Sequence, residues 1–97
     1  MDILLIPLQS IPDQTFVVEL GNKECEIHIY VRYRYMYMDL KVEDEYVIQG
    51  QICLNNTNII QYNHINFDGN LRFIDTQGVD DPYYSGFGER FALAYVR

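Results

Sequence analysis

The side chains that could catalyse a reaction or hold a metal ion are few in this sequence. The two histidines, His28 and His64, have no second histidine or cysteine at the spacing of a zinc site. Three carboxylates, Asp75, Asp80 and Asp81, lie close together in the chain, where they could bind a hard cation or shape a loop. Turn formation is the simpler role, so we expect no metal site.

Motifs for covalent or cofactor chemistry are equally sparse. Gly86 and Gly88 do not stand between a strand and a helix, as the glycines of a dinucleotide-binding loop do. Neither Ser10 nor Ser85 lies in a nucleophile elbow. We therefore expect a protein that is not an enzyme and that needs no cofactor.

The charge of the chain also limits its partners. Its formal net charge is −7, and of its seven basic residues only Arg32 and Arg34 are close together. Binding to a phosphate backbone requires clustered Lys and Arg, so we expect no specific binding of nucleic acid. The acidity favours solubility, or a surface past which DNA moves without adsorbing.

Targeting signals are not evident in the sequence. No apolar run approaches the roughly 18 to 20 residues that span a bilayer, so we expect no membrane contact. The first residues lack the basic region and the cleavage site of a signal peptide, which predicts a protein kept in a cytosol.

Residues 25–54 alternate between apolar and polar side chains almost throughout, which is typical of half-buried β-strands. Gly21 and Asn22 supply a two-residue hairpin turn before them, which pairs Leu20 with Lys23. In the same register Glu19 faces Glu24, an unfavourable pair of like charges.

Two further turns are predicted within this stretch. A turn at Arg34-Tyr35 pairs Tyr33 with Met36 and Ile29 with Leu40, whereas a three-residue turn at 43–45 pairs Val42 with Tyr46 and Leu40 with Ile48. Alternation also places Cys25 on the apolar face and Cys53 on the polar face. Because residues on opposite faces do not meet disulfide geometry, we expect two free thiols.

The rest of the chain reads as short strands and loops. Residues 2–8 form an edge strand ended by Pro7, and residues 71–75 and 91–96 form two more strands. Residues 59–67 are ambiguous and are read as a helical turn followed by extended chain, and residues 76–89 form a long loop. The chain is predicted to be a single β domain, 1–97, built as a small antiparallel β-barrel or two-sheet sandwich of six to seven short strands.

Two groups of aromatic residues are candidate interface residues: Tyr33, Arg34 and Tyr35 at a hairpin tip, and Tyr83, Tyr84 and Phe87 in the long loop. Exposed Tyr and Arg are enriched in protein interfaces. For the tip, two alternatives remain: cross-strand aromatic pairs that stabilise the sheet, and a stacking platform for single-stranded nucleic acid. The loop aromatics have no evident role in a core.

Short segments in a particular order resemble the small baseplate plug proteins of contractile-tailed bacteriophages. These segments are Ile6-Pro7-Leu8, Gln14-Thr15-Phe16, the alternating residues 26–31, Met38-Asp39-Leu40, Gly50, Asp68-Gly69-Asn70-Leu71, Asp81-Pro82, Phe87-Gly88 and residues 93–96.

The resemblance implies a structural protein of the virion that is assembled in the host bacterial cytoplasm. It would lie at the distal end of the tail, with several copies around the tail axis, and plug the lumen through contacts with baseplate hub and tail-tube proteins. Two other classes remain open: another phage structural part, such as a head–tail connector or tube-initiation protein, and a small stand-alone module that binds a peptide or protein.

Overall fold

Seven strands form two antiparallel sheets in the computed structural model, which describes residues 3–61 and 67–97. The strands are β1 (Ile3–Ile6), β2 (Asp13–Leu20), β3 (Lys23–Arg32), β4 (Tyr35–Val42), β5 (Glu45–Cys53), β6 (Asn70–Asp75) and β7 (Phe91–Val96). A 3-10 turn, Tyr84–Gly86, lies between β6 and β7. The all-β prediction is confirmed, and because the sheets do not close into a barrel, the sandwich is the alternative that fits.

The first hairpin of the four-stranded sheet, whose order is β2-β3-β4-β5, has the predicted register. Gly21 and Asn22 have φ angles of 58° and 65°, as a two-residue turn with two left-handed residues requires. Leu20 pairs with Lys23, and Glu19 does face Glu24. The alternation of both strands and the turn residues agree here, which is why the register was predictable.

The second turn lies one residue earlier than predicted. Arg32 pairs with Tyr35, so the turn consists of Tyr33 and Arg34, and Ile29 pairs with Met38 rather than with Leu40. The predicted register is therefore wrong by two residues along β4. The error leaves every side chain on its predicted face, because side chains alternate with a period of two.

The turn between β4 and β5 also differs from its prediction. It has two residues, Glu43 and Asp44, with φ angles of 50° and 67°, and Val42 pairs with Glu45 rather than with Tyr46. Leu40 does pair with Ile48 as predicted, because the register shifts on both sides of that pair. Such shifts are the mark of β-bulges, which insert a residue into one strand.

The bulged register changes the face on which Cys53 lies. Cys53 pairs with Met36 and is fully buried, so its predicted place on the polar face is wrong. Gly50, with a φ of 65°, lies between Ile48, which pairs with Leu40, and Gln51, which pairs with Met38. The extra residue of β5 in this interval reverses which side chains of the strand face the core. Both cysteines are free, as predicted, but Cys53 shares the core with Cys25.

The second sheet has the order β1-β7-β6, with β1 at one edge as predicted. The opposite edge, β6, is partly paired with the chain that follows β5: the Asn56 N–H donates to the Phe73 carbonyl at 2.7 Å, and the Ile59 N–H donates to the Leu71 carbonyl at 2.9 Å. Residues 59–61, where the helical turn was predicted to begin, are not helical, whereas residues 62–66, which include His64, lie outside the described residues.

One cluster of buried side chains includes residues of both sheets. Its largest fully buried members are Phe73, Leu71 and Leu93 from the three-stranded sheet, Ile59 from the segment after β5, and Ile27, Ile29, Met36, Met38, Leu40 and Val42 from the four-stranded sheet. The outward faces of the sheets are therefore the surfaces left for contacts with other molecules. No helix among residues 3–61 and 67–97 is long and apolar enough to cross a membrane.

Candidate protein interface

The tip of the β3–β4 hairpin presents Tyr33 and Arg34 to solvent. Tyr33 is 93% exposed and has a φ of 61°, in the left-handed region that bulky residues rarely adopt. Arg34 is also exposed, and no carboxylate pairs with it among the described residues. Tyr35, the first residue of β4, is 40% exposed. All three predicted tip residues therefore lie at the surface.

A ladder of aromatic side chains lies behind the tip on the outward face of the sheet. The rings of Tyr30 and Tyr37 are stacked with centroids 6.0 Å apart. The Arg32 guanidinium lies 5.8 Å from the Tyr30 centroid and 6.0 Å from the Tyr37 centroid, within the range of cation–π attraction. These cross-strand contacts stabilise the hairpin that carries Tyr33, so the sheet-stabilising alternative describes the base of the tip.

The ladder continues into a polar network centred on His28. Its ring stacks on Tyr30 at 4.6 Å, its Nε2 lies 2.8 Å from Asp13 Oδ1, and its Nδ1 lies 3.2 Å from Asp39 Oδ2. The other oxygen of Asp39 accepts the Gly50 N–H at 2.6 Å. Because carboxylates only accept, both histidine contacts are hydrogen bonds only when both ring nitrogens carry protons. The network ties together all four strands of this sheet.

Several basic side chains pair with carboxylates, Arg72 bonds the side chains of Asn56 and Asn58, and Arg32 and Arg34 lie at the tip. Lys41 pairs with Glu26, Arg90 with Asp75 and Asp80, and Arg97 with Asp68. Among the described residues, Arg32 and Arg34 have no carboxylate partner. In a chain of net charge −7, the tip is thus a local site of positive charge beside exposed tyrosine.

The aromatics of the second candidate group pack on the core. The rings of Tyr83 and Tyr84 are 4.7 Å apart, and both residues are half-buried against the core. Phe87 is only 3% exposed and stacks on Phe73 at 5.6 Å. The expectation that this loop lacks a core role is therefore wrong. The loop is packed closely enough that a Cβ at Gly86 would come within 2.7 Å of the Phe91 ring.

An ion pair between the buried Asp75 and the half-buried Arg90 holds the long loop to its flanking strands. The Asp75 carboxylate accepts from Arg90 Nε at 2.8 Å and Nη2 at 2.7 Å, and from the backbone N–H groups of Gln77 and Asp80. The hydrogen bonds from Arg90 hold the pKa of Asp75 well below its usual range, although burial opposes them. Arg90 also binds the Asp80 carboxylate, at 2.8 Å.

This ion pair uses carboxylates that could otherwise have bound a hard cation. The guanidinium of Arg90 contacts two of the three carboxylates, and the third, Asp81, accepts the Asn55 N–H at 2.9 Å. Among residues 3–61 and 67–97, no group of three or more His, Cys, Asp or Glu side chains is placed to hold a metal ion. The carboxylates instead fasten the loop.

The first candidate group lies at the tip of the β3–β4 hairpin and the second in the loop between β6 and β7. No hydrogen bond or ring contact joins them in the part of the chain that the structure describes. Sequence reasoning missed the network of Asp13, His28 and Asp39. With the turn placed at Tyr33 and Arg34, strand pairing would have put His28 opposite Asp39 and revealed it.

Comparison with protein families gives a match over nearly the whole chain. The family model described as cyanophage baseplate Pam3 plug gp18 matches residues 3–97. No curated protein matches the chain.

Proposed function

The chain belongs to the cyanophage baseplate plug family and is thus a structural protein of a phage tail, and we propose that it plugs the lumen of the tail tube and hub through contacts with neighbouring proteins. The proposed partners are baseplate hub and tail-tube proteins, and several copies surround the tail axis. The protein is assembled in the host cytoplasm, forms one domain over residues 1–97, and catalyses no reaction.

The observation that carries the contact surface is the conformation of Tyr33. A bulky residue with a φ of 61° costs free energy that glycine would avoid at the same position. The side chain gains little burial in return, since the residue is 93% exposed. A strained and exposed aromatic residue is explained by a contact outside the chain, and tyrosine and arginine are the residue types that dominate such contacts. We therefore assign Tyr33, Arg34 and Tyr35 to a docking surface.

The half-buried side chains of Tyr83 and Tyr84 offer a smaller second contact to a partner. Phe87 contributes by holding this loop on the core, because its own side chain is buried. The acidic net charge suits a protein at the path of DNA, since like charge prevents adsorption of the phosphate backbone.

A pull-down tests the proposal. The tagged chain is expressed in cells infected by its phage, and the proteins that co-purify are identified by mass spectrometry. We expect baseplate hub and tail-tube proteins with the wild type, and far less of them with Tyr33→Gly, which removes the ring and relieves the backbone strain. Tyr46→Ser is the matched control, because Tyr46 is also exposed, at 46%, near the neighbouring turn. Recovery of host proteins alone would contradict the proposal.

The position within the virion separates a plug from other tail parts. Cryo-electron microscopy of tails that carry an epitope-tagged chain should show the label at the distal end, on the tail axis. Label at the head–tail junction would instead indicate a connector.

A further inference from the structure

The outward face of the three-stranded sheet is apolar on its β1 side, whereas its β6 side carries Arg72 opposite Ala94. Ile3 and Leu5 point away from the core and are 61% and 62% exposed. They lie opposite Val96 and Ala94 of β7 on the same face, where Val96 is half-buried and Ala94 is fully buried. β1 and β7 contribute no charged residue to this face.

The outward face of the four-stranded sheet has the opposite character. It carries charged side chains from β2, β3 and β4, among them Asp13, Glu19, Glu26 and Lys41. Apolar surface rimmed by polar surface marks sites of interaction. The contrast singles out the β1 side of the sandwich.

Strand β1 is also an unguarded edge. Natural proteins protect edge strands with charges, bulges or covering chain. The edge strand β2 carries Asp13 and Glu19, the edge strand β5 is bulged near Gly50, and β6 is partly paired with the segment after β5. β1 has only Ile and Leu in Ile3–Ile6, and no described strand other than β7 pairs with it.

A cleft at the end of β1 adds a recess to this surface. It has a volume of about 250 Å³ and is lined by Leu5, Pro7, Leu8, Glu89 and Ala92, among others. Sites for small molecules usually measure about 300–1,000 Å³, so the cleft suits an apolar side chain of a partner better than a separate ligand.

We propose that β1 accepts an extended segment of a neighbouring baseplate or tube protein, which adds to the sheet as a fourth strand and places alternate apolar side chains on the outward face and in the cleft. Strand addition satisfies the free backbone groups of an edge while the side chains provide specificity. This inference rests on the proposed function, since it names how a tail partner binds.

Charge favours a partner strand over a second copy of this chain. Two copies would each bring a net charge of −7, and the resulting repulsion opposes pairing. A segment with Lys or Arg beside its apolar residues is attracted to the acidic chain and finds Glu89 at the cleft. The occupant is therefore an alternately apolar strand with basic flanks.

The test uses the full chain with the purified hub and tail-tube proteins of the same phage. The variant Ile3→Thr with Leu5→Thr removes the apolar side chains but keeps residues that favour strands. Val17→Thr is the matched control, because Val17 is 58% exposed on the edge strand of the other sheet. We expect the double variant to weaken binding by about tenfold or more, the loss that a pair of well-packed anchors produces, and the control to leave it unchanged.

Residue-resolved hydrogen exchange distinguishes strand addition from simple contact with the face. In the complex, the β1 amides that point away from β7 should gain protection, in an alternating pattern along the strand. If the double variant binds with unchanged affinity and the β1 amides gain no protection, this inference is overturned. The proposed function would still stand in that case, provided that Tyr33→Gly weakens binding.

Two other outcomes would also overturn it. If neither the hub nor the tube protein binds the wild type, this inference and the proposed function fail together. If sedimentation shows a wild-type dimer that the double variant dissociates, the occupant of β1 is a second copy.

Discussion

At the scale of single residues, the ion pair of the buried Asp75 with Arg90 makes stability depend on pH. The pKa of Asp75 is lower in the folded chain than in the unfolded chain, chiefly because of its hydrogen bonds with Arg90. The folded state therefore binds fewer protons, and this stabilisation is fully present above the unfolded pKa of about 4 and is lost as the pH falls below it. Acid should thus loosen the long loop from the sheet.

The variant Asp75→Asn tests this dependence. We expect it to be less stable than wild type at pH 7, because the ion pair with Arg90 is lost, and to lose less further stability between pH 5 and pH 2.5. Thermal melts across that range measure both effects. Asp81→Asn is the control, since it removes the same charge from the same loop and keeps an acceptor for the Asn55 N–H. Parallel pH profiles for wild type and Asp75→Asn would contradict the prediction.

Two of the predicted interface residues should differ sharply in their contribution to stability. Phe87 is buried and stacked on Phe73, so Phe87→Ala should lower the free energy of unfolding by about 3–5 kcal/mol. Tyr33→Ala, at a fully solvated position, should change it by less than about 0.5 kcal/mol. Urea unfolding at pH 7 measures both values. Similar losses in the two variants would show that the core packing described for Phe87 is incorrect.

At the scale of elements, the bulge in β5 determines what the strand buries. Gly50 has a φ of 65°, and its N–H donates to Asp39. A Cβ at Gly50 would lie 3.6 Å from the Tyr30 hydroxyl, an ordinary contact, so steric overlap does not explain the glycine. The left-handed backbone conformation explains the glycine. It also accommodates the bulge that turns Cys53 into the core.

Substitution of Gly50 should therefore lower the free energy of unfolding only through the strain of its backbone conformation. We expect Gly50→Ala to destabilise the chain by about 1–2 kcal/mol, the cost of a left-handed conformation for a residue with a Cβ. Gly50→Asn should cost less, because asparagine tolerates this region better. Chemical denaturation of both variants measures the difference. Equal losses would indicate that the side chain, rather than the backbone, is responsible.

The same elements show how far sequence alone could lead. Alternation predicted which residues of β3 face the core, and the turn at Gly21 and Asn22 set the first register. Alternation could not set the register of the second hairpin, because moving the turn by one residue leaves every side chain on the same face of the sheet. The turn residues did not help either, since neither Tyr33 nor Arg34 is a typical turn residue. The bulges were equally hidden, since an inserted residue changes no local pattern until the partner strand is known.

The candidate site was predictable to the same extent. Exposure of Tyr33 and Arg34 follows from their place at a hairpin tip, which local sequence indicates. Burial of Phe87 depends on Phe73, which lies on another strand, and no local pattern encodes that contact. The pairing of His28 with Asp39 was lost for a third reason, because it required the correct register.

At the scale of the whole molecule, the two outward faces divide the surface by chemistry. The four-stranded sheet presents charge and the aromatic ladder that ends at Tyr33, whereas the three-stranded sheet presents Ile3 and Leu5. A protein held among several neighbours in a tail requires distinct surfaces for distinct partners. Rigid placement of these surfaces requires in turn that the two sheets fold as one unit.

Thiol reactivity can test whether the two sheets fold as one unit, because both cysteines lie in the four-stranded sheet. Burial raises the pKa of Cys53 to about 12 and also raises that of Cys25, so both thiols are neutral and inaccessible in the native chain at pH 8. Their reaction with a thiol reagent therefore reports opening of that sheet.

A substitution in the other sheet should then expose these thiols. Phe73 of β6 belongs to the shared core, so Phe73→Ala should remove about 3–5 kcal/mol of stability, and both cysteines should react at correspondingly lower urea concentration. Phe73→Leu provides a milder version if the alanine variant does not fold, and Ile74→Ala, at a 36% exposed position of the same strand, is the control. If the two sheets unfolded independently, thiol protection would not change with Phe73, and the proposal of one domain would fail.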